Sequence, residues 1–399
     1  MRVLIADKFP DAAVAQFKAL RFEVDYKPAL KRDTLPIAIP GIHVLVVRST
    51  EVSAETIEKA DTLGLVVRAG AGTNTIDKRA CSDRGIYVSN CPGKNAVAVA
   101  ELTMGLVLAL DRRIPDNVAD LRAGRWNKKE YSKANGLFGR TIGIAGLGRI
   151  GQEVLFRVRG FGMVAEAWSR SLGRARAASL DVGYNATIEE LAAKADILTV
   201  HLPLSPETRG IVAKSVFDAL PAGAIFVNTS RGEIVDEAAL RDAIGKKGIR
   251  AGLDVFQGEP EGPEGEFQSD TTALPGVYGT HHIGASTEQA QSSIAEETVR
   301  IVRSFRDTGE VPNCVNLASR SPARCQLVVR HYDKVGVLAG VLGALREADI
   351  NVEEIENEIF DGAKAACARI RLDERPPQAV LDALRQRRDD ILHLELLDL

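Results

Sequence analysis

Short apolar runs bounded by Gly, Pro or Asp alternate with longer stretches in which apolar positions recur every three or four residues. Runs apolar at nearly every position suit strands buried on both faces, and the longer stretches suit the helices that cover them. The first series of strand candidates is Val3–Ala6, Val44–Val47, Leu65–Ala69 and Ile86–Val88. A helical pattern over Ala96–Leu110 then leads into a polar stretch, Leu121–Lys133, that contains a tryptophan. The second series comprises Ile142–Ala145, Val164–Trp168, Ile197–Val200, Ala224–Val227, Ala251–Val255 and Val277–Gly279. Strands alternating with helices in this way predict a complete Rossmann-type unit.

The rhythm changes after a long polar helix over Thr287–Arg306. Thr308–Pro322 carries the Pro, Gly and small polar residues of a linker. Beyond it come a strand (Gln326–Arg330), a helix (Val337–Glu347), two strands (Val352–Ile359, Ala365–Leu372), a helix (Gln378–Arg385) and a last strand (Ile391–Leu397). That order, βαββαβ, predicts a small separate ferredoxin-like module.

Composition narrows the function. The 399 residues are enough for two or three domains, and a net charge of −3 supplies no basic field for nucleic acid. Cys81, Cys91, Cys314, Cys325 and Cys367 form no CxxC pair, so neither a disulfide frame nor a metal site is expected. The longest apolar stretch is broken by Glu101 and is too short to span a bilayer. Met1-Arg2 runs directly into a strand, and no signal peptide is expected. A soluble, cytoplasmic protein without a membrane partner is the expectation.

Gly146-x-Gly148-Arg149-Ile150-Gly151 follows the strand Ile142–Ala145 and opens a helix, the context in which such glycines bring a pyrophosphate to free helix N–H groups. NAD enzymes hold the ribose with an acid at the end of the next strand. Here Glu166 lies inside that strand, and Ser169-Arg170 stands at its end. Serine removes repulsion against a 2′-phosphate and arginine can pair with one, which leaves NADP open beside NAD. Three further residues sit near ends of predicted strands, where ligands gather: Arg231 in Asn228-Thr229-Ser230-Arg231-Gly232, Glu259 in Gly258-Glu259-Pro260, and His282 in His282-Ile283-Gly284-Ala285-Ser286-Thr287. An arginine can grip a carboxylate, an imidazole can move a proton near neutrality, and a carboxylate beside it favours the imidazolium.

With these motifs, and with Arg68-Ala69-Gly70-Ala71-Gly72, Ala98-Val99-Ala100-Glu101-Leu102 and His201-Leu202-Pro203-Leu204, the chain resembles the D-isomer-specific 2-hydroxyacid dehydrogenases over nearly its full length. Within that family it resembles the branch that oxidises 3-phosphoglycerate at the entry to serine biosynthesis. The resemblance implies Arg231, Glu259 and His282 as the catalytic residues and Asp254 beside the nicotinamide, with His201 and Pro203 also on the cofactor. It implies a flavodoxin-like substrate domain (1–95 and 284–312) into which the Rossmann domain (96–283) is inserted. It also implies a homodimer or homotetramer built through the cofactor domain. For a phosphorylated 2-hydroxy acid, Arg48 and Ser49 match the phosphate-side loop and Asn95 is a second candidate, whereas Lys94 reads as a solvated charge. Gly72 and Thr73 would offer backbone N–H groups to the substrate carboxylate. Two positions depart from the family: His281 stands where relatives have proline, and Ser169 where NAD-dependent relatives have an acid.

The last module (323–399) resembles an ACT domain through Val329–Leu338 and Asp349-Ile350-Asn351-Val352. The resemblance implies an amino-acid effector at His331, Asp333 and Asn351. Asp333, in place of asparagine, can accept from an ammonium group but cannot donate to a carboxylate. A purely structural pairing role is the alternative. For the whole chain, the alternatives are a glyoxylate or hydroxypyruvate reductase and a non-catalytic, nucleotide-sensing binding protein.

Overall fold

A computed structural model describes residues 1–260, 264–318 and 320–399. The chain divides into two compact units, Met1–Asn316 and Leu317–Leu399.

Unit one holds two parallel sheets. The first contains β1 (Arg2–Ile5), β2 (Glu23–Tyr26), β3 (Val44–Val47), β4 (Leu65–Arg68) and β5 (Tyr87–Asn90), in the order β2-β1-β3-β4-β5. The second contains β6 (Thr141–Ala145), β7 (Val164–Trp168), β8 (Gly183–Tyr184), β9 (Ile197–Val200), β10 (Ile225–Asn228), β11 (Arg250–Leu253) and β12 (Val277–Gly279), in the order β12-β11-β10-β9-β6-β7-β8. Each sheet reverses its strand order once, at β1/β3 and at β6/β9. Loops diverge from the carboxyl ends of the strands at such points and leave a crevice for a ligand.

Two strands escape the apolar pattern. The edge strand β2 reads Glu-Val-Asp-Tyr and has no buried residue, and β8 is a two-residue edge. An edge strand is covered on fewer sides and need not be apolar throughout. The helix Glu288–Thr308 packs Ile294, Val299, Ile301 and Val302 into the core of the first sheet, among Val3, Ile5, Val44 and Leu65.

The segment expected to be a linker is, over its first part, tied to the first sheet. The Ser89 hydroxyl donates to the Pro312 carbonyl and the Val315 N–H to the Val88 carbonyl. Asn316 Oδ1 accepts from the Val88 N–H at 2.8 Å, and its Nδ2 donates to the Ile86 carbonyl at 2.9 Å. The side chain thus occupies backbone groups at the start of the edge strand β5, the Val88 N–H within it and the Ile86 carbonyl just before it.

Unit two contains β13 (Cys325–Tyr332), β14 (Val352–Ile359), β15 (Ala365–Leu372) and β16 (Ile391–Asp398), antiparallel in the order β14-β15-β13-β16. The helices Val337–Glu347 and Gln378–Gln386 cover one face, burying Val341, Leu345, Leu381 and Leu384 against Leu327, Val329, Ala368 and Ile370. This is the expected ferredoxin-like arrangement. Among the described residues no helix is long and apolar enough to cross a membrane.

Asn316→Ala removes both partners of β5 and strands a backbone N–H, so it should destabilise the chain by about 1–3 kcal/mol in urea unfolding.

Candidate active site

The glycine fingerprint is built into the β6/β9 crevice. Gly146 has φ +100°, and a Cβ there would stand 2.4 Å from the His201 carbonyl oxygen. A Cβ on Gly151 would stand 2.1 Å from the Gly146 carbonyl oxygen. Packing therefore requires these two glycines, whereas a Cβ on Gly148 would meet no atom within 4 Å. Only the middle glycine faces open space, at the N-terminus of the helix Arg149–Gly160. That geometry fits a pyrophosphate brought against backbone N–H groups.

The catalytic candidates come together at the carboxyl ends of β10, β11 and β12. His282 Nδ1 lies 2.6 Å from Glu259 Oε2, and Glu259 Oε1 accepts from the Phe256 N–H at 2.7 Å. Burial opposes the Glu259 charge, but the hydrogen bonds from His282 and Phe256 outweigh it and hold the carboxyl below its usual range. Arg231 follows β10 and donates to the Ser230 carbonyl. A Cβ on Gly72 would stand 2.6 Å from an Arg231 guanidinium nitrogen. A Cβ on Gly232 would stand 2.1 Å from the Phe256 carbonyl carbon, so this glycine lets the Arg231 loop close onto the loop bearing Glu259.

Asp254 has a role the resemblance did not supply. It is 1% exposed, and its carboxylate accepts from the Thr280 hydroxyl at 2.6 Å and from the Ile283 and Gly284 N–H groups at 2.9 Å each. The His282 N–H donates to the Asp254 carbonyl at 2.8 Å. Together these bonds hold His282 at φ +51°, a left-handed conformation that costs a non-glycine residue about 1–2 kcal/mol.

Two cavities meet at this loop. One, of about 410 Å³, is lined by Gly72, Thr73, Ile150, His201, Pro203, Arg231 and Asp254. The other, of about 460 Å³, is lined by Arg48, Ser49, Phe256, Glu259, Pro260, Phe267 and His281. Arg68, Asn95, His282 and Ala285 border both. Three buried polar atoms without a partner, Arg68 Nε, Asn95 Oδ1 and His201 Nδ1, belong to residues lining these cavities. A buried polar atom left unpaired costs about 1–3 kcal/mol, so their gathering here marks a ligand site. His201 is neutral: burial pushes its imidazole down to about 3, and its Nε2 lies 3.0 Å from Thr199 Oγ1.

Arg68, the last residue of β4, did not figure among the site candidates. Burial, then the neighbouring charges of Arg231 and Arg48, lowers its guanidinium to about 10. Its signal in the sequence was a charge ending the otherwise apolar strand Leu65–Arg68. Gly70 leaves room for it, since a Cβ there would overlap the guanidinium. Asp7, after β1, was also missed. Its carboxylate takes the N–H groups of Arg48, Ser49 and Thr50 and the hydroxyls of Ser49 and Thr50. Ser49 is therefore a strut that shapes the loop, and Arg48 carries the free charge. Lys94 pairs with Glu297 at 3.7 Å.

The remaining candidates are less centrally placed. Ser169 is half-buried and Arg170 exposed, and neither lines the two cavities. Glu166 is engaged by Asn185 and Lys194. The Arg149 side chain lies against Gly93, where a Cβ would stand 2.3 Å from its Cδ.

In unit two, His331 is not an open ligand group. Alternation along β13 turns it to the helix-covered face at 2% exposure, with Nδ1 2.8 Å from the Tyr332 carbonyl and Nε2 3.2 Å from the Asn357 amide. The Asn351 amide donates to Glu353, Asp333 is exposed, and no hydrogen bond joins His331, Asp333 and Asn351.

These features place a dinucleotide loop beside an arginine, a carboxylate and a histidine, and the chain has counterparts among known proteins. Residues 104–284 match the family model described as the NAD-binding domain of D-isomer-specific 2-hydroxyacid dehydrogenases. Hydroxypyruvate reductase of Thermotoga maritima is 39% identical over 282 residues, covering 70% of this chain and 89% of that protein. The chain belongs to the D-isomer-specific 2-hydroxyacid dehydrogenase family. D-3-phosphoglycerate dehydrogenase of Methanocaldococcus jannaschii is 39% identical over 309 residues, covering 76% of this chain. The chain spans 58% of the length of that relative. The solved NAD⁺-bound 3-phosphoglycerate dehydrogenase of Entamoeba histolytica superposes with a TM-score of 0.66 at 25% identity, covering 79% of this chain and 99% of the other.

The Glu259 carboxyl, held below its usual range, stabilises the fold above the ordinary glutamate range and loses that contribution as pH falls through its lowered value. Glu259→Gln should therefore flatten the acid-side loss of stability in urea unfolding measured from about pH 3 to pH 6.

Proposed function

We propose that the protein is a D-3-phosphoglycerate dehydrogenase, which interconverts 3-phosphoglycerate and 3-phosphohydroxypyruvate in the first step of L-serine biosynthesis. The observation that carries this reading is the distribution of charge over the two cavities. Arg231 serves the cavity that contains the cofactor candidates, Arg48 serves the distal one, and Arg68 lies where they meet. A substrate with a carboxylate at one end and a phosphate at the other supplies an anion to each, and arginine is suited to both. A lactate-like substrate would leave Arg48 without a partner.

When bound against Gly148 and the N-terminus of the helix Arg149–Gly160, NAD would supply the hydride acceptor for C2 of the hydroxy acid. Arg231 and the Gly72–Thr73 backbone orient the carboxylate, and the Arg231 charge polarises the neighbouring oxygen. His282 Nε2, the ring nitrogen not engaged by Glu259, takes the hydroxyl proton in oxidation and gives it back in reduction. Glu259 sets the tautomer and supports the charge that develops on the ring. Asn95 Oδ1, buried and unpartnered, is an acceptor available to a substrate hydroxyl. In this reading residues 1–95 with 284–312 bind the substrate, 96–283 the cofactor, and 323–399 form an ACT-like module. The His331–Asn357 contact favours a structural role for that module over an effector site at His331, Asp333 and Asn351. Exposed Leu121, Trp126, Phe138 and Phe156 on the cofactor lobe support assembly into a homodimer or homotetramer.

A second reading, a hydroxypyruvate or glyoxylate reductase, is favoured by the coverage of the Thermotoga relative and by Ser169-Arg170, which would accept NADPH. Oxidation of NADH and NADPH with phosphohydroxypyruvate, hydroxypyruvate and glyoxylate separates the two. Phosphohydroxypyruvate should have the highest kcat/KM, by at least about 100-fold if the phosphate forms a charge-assisted pair worth about 3 kcal/mol. A higher value for an unphosphorylated acid would overturn the first reading. NADH binding without any turnover would favour a nucleotide-sensing protein.

A further inference from the structure

We propose that His281, the neighbour of the catalytic histidine, is a specificity residue that recognises the phosphoryl group of the substrate; this rests on the phosphoglycerate reading. In extended backbone, consecutive side chains point to opposite sides. The left-handed conformation of His282 breaks that alternation, and His281 and His282 line the same distal cavity. The two imidazoles are otherwise unlike. His282 is held by Glu259, whereas His281 is exposed to the cavity and makes no hydrogen bond among the described residues.

Among the described residues, the charged or titratable groups that share this cavity with His281 are the cations Arg48 and Arg68, the acids Glu259 and Glu264, and His282. Glu259 is occupied by His282 and the Phe256 N–H, and the Ser49 hydroxyl by Asp7. Arg48 and Arg68 supply positive charge to an anion in the cavity, and His281 adds an imidazole N–H donor. A phosphoryl group, with three terminal oxygens and nearly two charges at neutrality, can accept from all three. A hydroxymethyl group offers one weak acceptor and gains little. His281 thus distinguishes the phosphorylated substrate from its unphosphorylated analogue, a role that needs no part in proton transfer.

The test compares the unaltered 399-residue chain with His281→Gln, which keeps an N–H donor, and with His281→Ala. Initial rates of NADH oxidation are measured with phosphohydroxypyruvate and with hydroxypyruvate. KM for phosphohydroxypyruvate should rise about ten-fold in His281→Ala and by less in His281→Gln, with the loss in KM rather than kcat. KM for hydroxypyruvate should change far less. Equal losses on both substrates would overturn the proposal in favour of a disturbed loop. A wild type with no preference for the phosphorylated substrate overturns the functional reading and this proposal with it. A wild-type preference that both variants retain overturns the role of His281 alone.

Discussion

The site depends on one buried carboxylate. Asp254 receives three donors from the segment 280–284 through its side chain and a fourth, from His282, through its carbonyl. A carboxylate at 1% exposure is tolerable only when its oxygens are filled, and here the donors belong to the loop that bears the catalytic histidine. Gly284 shows how closely the parts fit, since a Cβ there would stand 3.0 Å from Asp254 Oδ2 and 3.3 Å from Val99. The left-handed turn at His282 follows from this bracing, and so do the Glu259–His282 contact and the two imidazoles on one cavity. Strain of this kind persists where the surroundings over-determine it, as four hydrogen bonds do here.

Around that turn the fold gathers three arginines that form no salt bridge among the described residues. The chain as a whole is slightly acidic, at net −3, yet burial, with the charges of Arg231 and Arg48 nearby, lowers the Arg68 guanidinium to about 10. The parallel sheets supply the means. Arg48 follows β3, Arg68 ends β4 and Arg231 follows β10, all at carboxyl edges that face the same crevice region. A doubly anionic substrate would relieve both their repulsion and their desolvation, which makes the arrangement specific for negative charge rather than merely tolerant of it.

The fully buried strands were legible because they are apolar at nearly every position; β3 is apolar throughout, and β9 and β10 depart only at Thr199 and Asn228. The edge strands β2 and β8 were not, because an edge in partial contact with solvent carries no such pattern. In unit two the period-two alternation of β15 made its limits readable. The triad was readable because its residue types are scarce and chemically distinctive. Arg68 escaped notice as the end of a strand, and Asp7 as an ordinary turn acid, because their meaning depends on neighbours far away in sequence. His331 could be read from sequence only as an effector candidate, since sequence shows which residue stands on β13 but not that it reaches Asn357 across the sheet. The Pro312–Asn316 segment was misread for a similar reason: its composition is that of a linker, and its hydrogen bonds to β5 are non-local.

In the proposed reading the Asp254-braced His282 takes the hydroxyl proton and the arginines hold the anions of a D-configured, phosphorylated hydroxy acid, whose C2 hydride would pass to NAD⁺. Incubation with D-3-[2-²H]phosphoglycerate and NAD⁺, read by mass and NMR spectra of the reduced nucleotide, tests this most directly. The account predicts deuterium at C4 of the nicotinamide, with no transfer from the L-enantiomer. Unlabelled reduced nucleotide, or equal transfer from both enantiomers, would contradict it.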